Sequence, residues 1–109
     1  MFKLVDKPTF THRVTAMVPT DDGHDPQSFN VTYRVLTADR VADFALHTNE
    51  GTTAFLCAIV ESCDDINDEH GAKLAWNDDV RDKVFNLPYA RAAISGGYFD
   101  AINKAKKGN

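Results

Sequence analysis

Asp64, Asp65, Asp68 and Glu69 crowd into the stretch before Gly71 and form the densest set of potential metal ligands in this chain. An EF-hand calcium loop needs carboxylates at its first and twelfth positions and a glycine at its sixth. With Gly71 as that glycine, Ile66 falls first and Asn77 last, so the segment reads as a solvated turn. His12, His24, His47 and His70 lie one to an element, without a Cys-x-x-Cys or His-x3-His pair, and zinc is not expected. Ser95-Gly96-Gly97 has no strand before it and no glycine two residues upstream of the serine, unlike a nucleophile elbow. Cys57 sits in an apolar helical run, where its thiol should be inert. The 6 glycines make no phosphate-cradling pattern. Acid, base and nucleophile cannot be placed together, so the expectation is no catalytic site, no cofactor, no metal and no enzyme.

Composition narrows the class further. A chain of 109 residues suits a single domain, 1–109, and its 43% apolar and 26% charged content is that of a globular protein. The net charge of −4, with carboxylates spread along the chain, speaks against nucleic acid as a partner. The one basic cluster, Lys104, Lys106 and Lys107, would meet the negative end of the last helix. Read on one helix, Cys57 and Cys63 are turned roughly 120° apart, which predicts two buried free thiols in a reducing compartment. Neither an N-terminal leader nor a membrane-spanning run is apparent, so a soluble cytoplasmic protein without membrane contact is expected.

The elements that must position these residues change character along the chain. Over 10–18, Phe10, His12, Val14, Ala16 and Val18 alternate with Thr11, Arg13, Thr15 and Met17. Over 28–36, Phe29, Val31, Tyr33 and Val35 alternate with Asn30, Thr32 and Arg34. Period two with β-branched and aromatic residues predicts two half-buried strands, with His12 packed on the apolar face. The turn-forming residues 19–27 between them predict an antiparallel hairpin, 9–36, with a long loop. A helical part, 37–107, follows, so the fold class is α+β, a hairpin and a small bundle of about four helices. Thr37 caps the first helix, Gly51 ends or kinks it, and Thr52 or Thr53 caps a second carrying Phe55, Leu56, Ile59, Val60 and Cys63. Residues 64–76 form a turn or ribbon with Ile66 and Leu74 inward, Asn77 caps a third helix, and Pro88 opens the last.

In that last helix Ile94, Tyr98 and Ile102 make one line, and Ala90, Ala93, Gly97 and Ala101 make a strip of small residues beside it. Such a strip admits a second helix closely. Gly96-Gly97 costs about 1 kcal/mol per glycine against alanine, which a tight contact or a bend would justify. Trp76, Tyr89, Tyr98 and Phe99 cluster in the same third of the chain. Core packing accounts for some of them, and an exposed aromatic beside small residues suits a partner. The candidate partner-binding residues are therefore Trp76, Tyr89, Ala93, Gly97, Tyr98 and Phe99.

The order and spacing of these pieces resembles the tail assembly chaperones of long-tailed, siphophage-type bacteriophages. Tyr33-Arg34-Val35-Leu36-Thr37 resembles their passage from strand to helix. The likeness sharpens through Ile66, Asp68-Glu69-His70-Gly71, Trp76, Leu87-Pro88-Tyr89-Ala90-Arg91 and Tyr98, and departs at Gly96-Gly97, where larger helix formers are usual. The resemblance implies a non-enzymatic protein of the host cytoplasm, absent from the mature virion. It would bind the tape-measure protein, keep that apolar helix soluble and recruit tail tube protein around it. Many weak copies along one partner imply self-association, through the hairpin edge or the last helix. Lys106-Lys107-Gly108 fits a slippery codon run and, with it, a longer frameshifted product. The alternative is a structural minor tail or tail-completion protein of the virion.

Overall fold

The computed structural model describes residues 1–103. Strands β1 (Thr9–Thr20) and β2 (Gly23–Arg34) form an antiparallel hairpin, and β3 (Val60–Asp64) adds antiparallel to β2, giving the order β1-β2-β3. Among the described residues four helices join this sheet in an α+β fold: α1 (Ala38–Ala42), α2 (Asn49–Ile59), α3 (Asp78–Phe85) and α4 (Pro88–Asn103). None of them, among the described residues, is long and apolar enough to cross a membrane.

The hairpin register brings the two alternating patterns together. Val14 pairs with Phe29, His12 with Val31 and Phe10 with Tyr33 on the core face. On the opposite face Thr11 and Thr32 share a hydroxyl hydrogen bond of 2.9 Å, as do Thr15 and Ser28, and Arg13 donates to Asn30 Oδ1 at 3.1 Å. The long loop expected over 19–27 is absent. Pairing continues to Thr20 and Gly23 and leaves only Asp21-Asp22 as the turn, with Gly23 at a φ of +147°. Proline can pair only where its missing N–H would point away from the partner strand. Pro19 faces His24 and Pro26 faces Met17, in the same phase of the ladder, so both are accommodated. His12 is exposed rather than packed, its ring edge-on to Phe10 at 5.2 Å and its Nδ1 3.2 Å from the Thr11 carbonyl oxygen.

Thr37 caps α1 as expected, its hydroxyl accepting from Arg40 N at 3.3 Å. The second helix begins earlier than expected, at a Thr48 cap, and Gly51 lies inside its first turn. A Cβ at Gly51 would collide with the Ala45 carbonyl, so glycine is needed where the preceding loop folds over the helix. Cys63 belongs to β3, not to α2, and the helix gives way at Ile59 directly to extended chain at Val60. Arg34 stabilises that abrupt end by donating to the carbonyls of Cys57, Ala58 and Val60, at 3.4, 3.4 and 2.9 Å. Its charge also lies at the negative end of the helix. A bulge at Glu61 lets Val60 pair with Tyr33 and Cys63 with Val31, so both reach the core although three residues apart.

After β3 a narrow ribbon forms, in which Leu74 N donates to Ile66 O at 2.8 Å and Asp68 Oδ1 accepts from the backbone N–H groups of His70 and Ala72. Asn77 Oδ1 caps α3 by accepting from Val80 N at 2.9 Å. The chain then turns at Pro88 into α4, which lies across β1. Tyr33 in β2 donates its buried hydroxyl to Ile94 O at 2.7 Å, and Leu36 N donates to the Tyr98 hydroxyl at 3.0 Å. The small-residue strip faces the chain's own sheet at Gly97, where an added Cβ would stand 2.6 Å from Val14 Cγ1 and 2.8 Å from the Tyr33 hydroxyl. Lys104, Lys106, Lys107 and Gly108 lie outside the described residues.

The two adjacent glycines therefore have opposite roles. Gly97→Ala should lower unfolding free energy in urea by about 1–3 kcal/mol through overpacking. Gly96→Ala, whose Cβ would meet nothing within 4 Å, should raise it by about 0.5–1 kcal/mol through helix propensity. Equal effects of the two substitutions would contradict the close approach.

Candidate functional site, apolar surface around the last helix

The six candidate residues separate by depth. Tyr98 is 2% exposed and sits at the centre of an aromatic cluster, its ring 5.6 Å from Tyr33, 5.7 Å from Phe55 and 5.4 Å from Phe99. Gly97 lies against the sheet as described. Both serve the chain's own core. Trp76, Tyr89, Ala93 and Phe99 pack against the core while keeping part of their surface open. Trp76 leans on Phe85 at 5.9 Å, and Phe99 stacks on Phe55 at 5.5 Å with ring planes 10° apart.

Of the more exposed apolar residues, Leu46 and Leu87 lie outside the alternation and the helical stripes, whereas Ile102 lies on one. Ile102, expected on the buried line with Ile94 and Tyr98, is 44% exposed. Tyr98 already bonds Leu36 at the end of the sheet, so one turn further α4 overhangs it. Phe44 meets Phe55 edge-on at 5.6 Å, and Leu46 follows it at the surface. Phe44 and Phe99 thus both pack on Phe55, with the exposed Leu46 and Ile102 two and three residues further along, while Leu87 and Tyr89 stand at the α3–α4 corner. A separate group lies at the start of the chain, where Phe2 is 87%, Leu4 92% and Val5 60% exposed. The signal for it was legible as apolar residues crowded ahead of Pro8 without a strand or helical stripe.

Polar groups in this region hold elements together. Arg91 donates to Thr53 Oγ1 at 2.7 Å, to Phe85 O at 2.8 Å and to Asn49 O at 3.1 Å, tying the start of α2 to the end of α3. Arg13 crosses β2 to reach Asp65 at 2.8 Å on the solvent face. Among the described residues no buried side-chain nitrogen or oxygen lacks a hydrogen-bond partner, and no three metal-ligating side chains converge. The two thiols are free but only Cys63 is buried; Cys57, expected inside, is exposed because its face of α2 turns from the core. Burial pushes the Cys63 thiol up to about 12. Burial also raises Tyr33, with a smaller contribution from the nearby Cys63 thiolate. Both groups stay protonated and non-nucleophilic at neutral pH.

Comparisons with protein-family models, curated proteins and solved structures return no match to this chain.

The thiols offer two measurements. In the folded protein a thiol reagent should label Cys57 rapidly and Cys63 only after unfolding, as read by mass spectrometry; equal rates would contradict the placement of β3. An unfolded thiol ionises near pH 8.5, whereas the folded Cys63 resists to about 12. Stability is therefore full below about pH 8.5 and falls as pH rises above it, because the unfolded chain then binds fewer protons. The pH dependence of the denaturation midpoint should flatten between about pH 8.5 and 10 in Cys63→Ala.

Proposed function

We propose that this protein is a non-enzymatic assembly factor that binds a long, apolar-rich helical partner, in the manner of a phage tail assembly chaperone. The observation that carries this reading is that Phe44 and Phe99, both packed on Phe55, keep part of their surface open and are followed along the chain by the exposed Leu46 and Ile102, while no buried side-chain nitrogen or oxygen among the described residues lacks a partner. Contacts of this kind cover greasy surface on a partner without chemical turnover. The order of turn, capped helix, Pro-Tyr step and last helix supports the tape-measure protein as that partner, with tail tube protein recruited afterwards. Several copies along one tape measure supply by avidity what a single small surface lacks, so self-association belongs to the reading. It places the protein in the host cytoplasm during assembly, outside the finished virion.

Coexpression with the tape-measure protein of the same genome tests this. A soluble complex should be recovered by pull-down, and Leu46→Asp/Ile102→Asp, at exposed positions, should reduce recovery by about tenfold while leaving the thermal midpoint unchanged. Failure to form any complex, with the chain instead present in purified particles, would favour the structural tail component.

A further inference from the structure

Ahead of β1 the chain bends at Asp6-Lys7, where Lys7 holds a φ of 53°. That conformation is left-handed, rare for a residue with a side chain and unfavourable again before a proline. The bend carries residues 5–9 over the junction of β2 and α1, where they close one side of a cavity of about 640 Å³. Pro8 and the half-buried Val35 and Leu36 give it apolar lining, beside the charged Arg34, Arg40 and Glu61. Its size falls within the range of about 300–1,000 Å³ over which clefts enclose a bound group. Beneath the bend Pro8 is fixed, its carbonyl accepting from Val35 N at 2.9 Å. Beyond it Phe2 and Leu4 stand almost wholly in solvent.

A strained bend persists where its surroundings hold it. Ahead of Pro8, Val5 is the segment's only apolar side chain on the cavity, and it is still 60% exposed, which is little to hold the bend with. Phe2 and Leu4 are two residues apart, hence on one side of an extended segment. Phe2 starts three residues from Val5, about 10 Å of extended chain, so both side chains can reach the cavity. We propose that residues 1–5 are a strap that closes on the molecule's own cavity and seats Phe2 and Leu4 against Val35 and Leu36. The tether selects this occupant: so short a link holds the side chains at an effective concentration on the order of millimolar, ahead of a dissolved partner. Closure takes large apolar side chains out of water and so offsets the strain at Lys7. The strap uses none of Phe44, Leu46, Phe99 and Ile102, and its test needs no tape-measure protein.

Nuclear Overhauser effects in the full-length protein read the strap directly. The Phe2 ring should show them to the methyl groups of Val35 and Leu36, equally at micromolar and millimolar concentration. Phe2→Ser/Leu4→Ser should shift the amide signals of Val35, Leu36 and Arg40, leave those of α3 in place, and lower the thermal midpoint by about 2–5 °C. A strap that stays open predicts no such contacts, and their absence overturns the proposal whatever the midpoint does. Mixing labelled with unlabelled chains separates the two possible seats. Contacts that pass between chains, or that appear only at high concentration, overturn the closed strap and assign the cavity to the terminus of a second copy.

Discussion

The approach of α4 to the hairpin at Gly97 is the constraint on which the other contacts rest. With no side chain there, Val14 and the Tyr33 ring reach the helix backbone, and the Tyr33 hydroxyl donates to Ile94 O. That hydroxyl is buried, so an unmet bond would cost on the order of 1–3 kcal/mol, and the geometry that satisfies it also sets the height of the helix above the sheet. Tyr98 then falls where it can accept from Leu36 N, and its ring organises Phe10, Phe55 and Phe99. A larger residue at 97 would lift the helix and strain all of these together.

A second set of restraints acts on the backbone ends. Arg34, on the solvent face of β2, satisfies carbonyls at the end of α2 and permits the chain to pass from helix to strand without a loop. Arg91 does the equivalent at the end of α3, bonding Phe85 O while holding Asn49 O and Thr53. Two guanidinium groups thus do work that longer loops with their own caps would otherwise do. This economy is one way a small chain keeps its apolar residues for packing.

Much of the architecture was legible because its local signals agree with its tertiary contacts. Alternation over 10–18 and 28–36 named the core faces except at the exposed His12, and Thr37, Asn77 and Pro88 mark the helix starts they were expected to mark. β3 was hidden for a specific reason: the bulge at Glu61 puts Val60 and Cys63 on one face at a spacing of three, which imitates a helical stripe. The hairpin turn was hidden because prolines signal a loop unless the ladder phase is known. Gly97 was singled out, but its neighbour could not be inferred from one helix alone; the close surface is a strand of the same chain. At the candidate site, Trp76, Tyr89, Ala93 and Phe99 keep partial exposure, while burial of Tyr98 depended on how far α4 overlaps the sheet, a quantity absent from local pattern.

The distal half of the hairpin runs past the end of β3 as a bare two-stranded finger. Pro19 guards one rim and Pro26 the other, each where a fourth strand would look for an N–H. Lateral growth of the finger is thereby blocked on both sides, however crowded the molecules become. Any stacking of copies must begin at the root of the sheet, and the fingertip stays free to point outward.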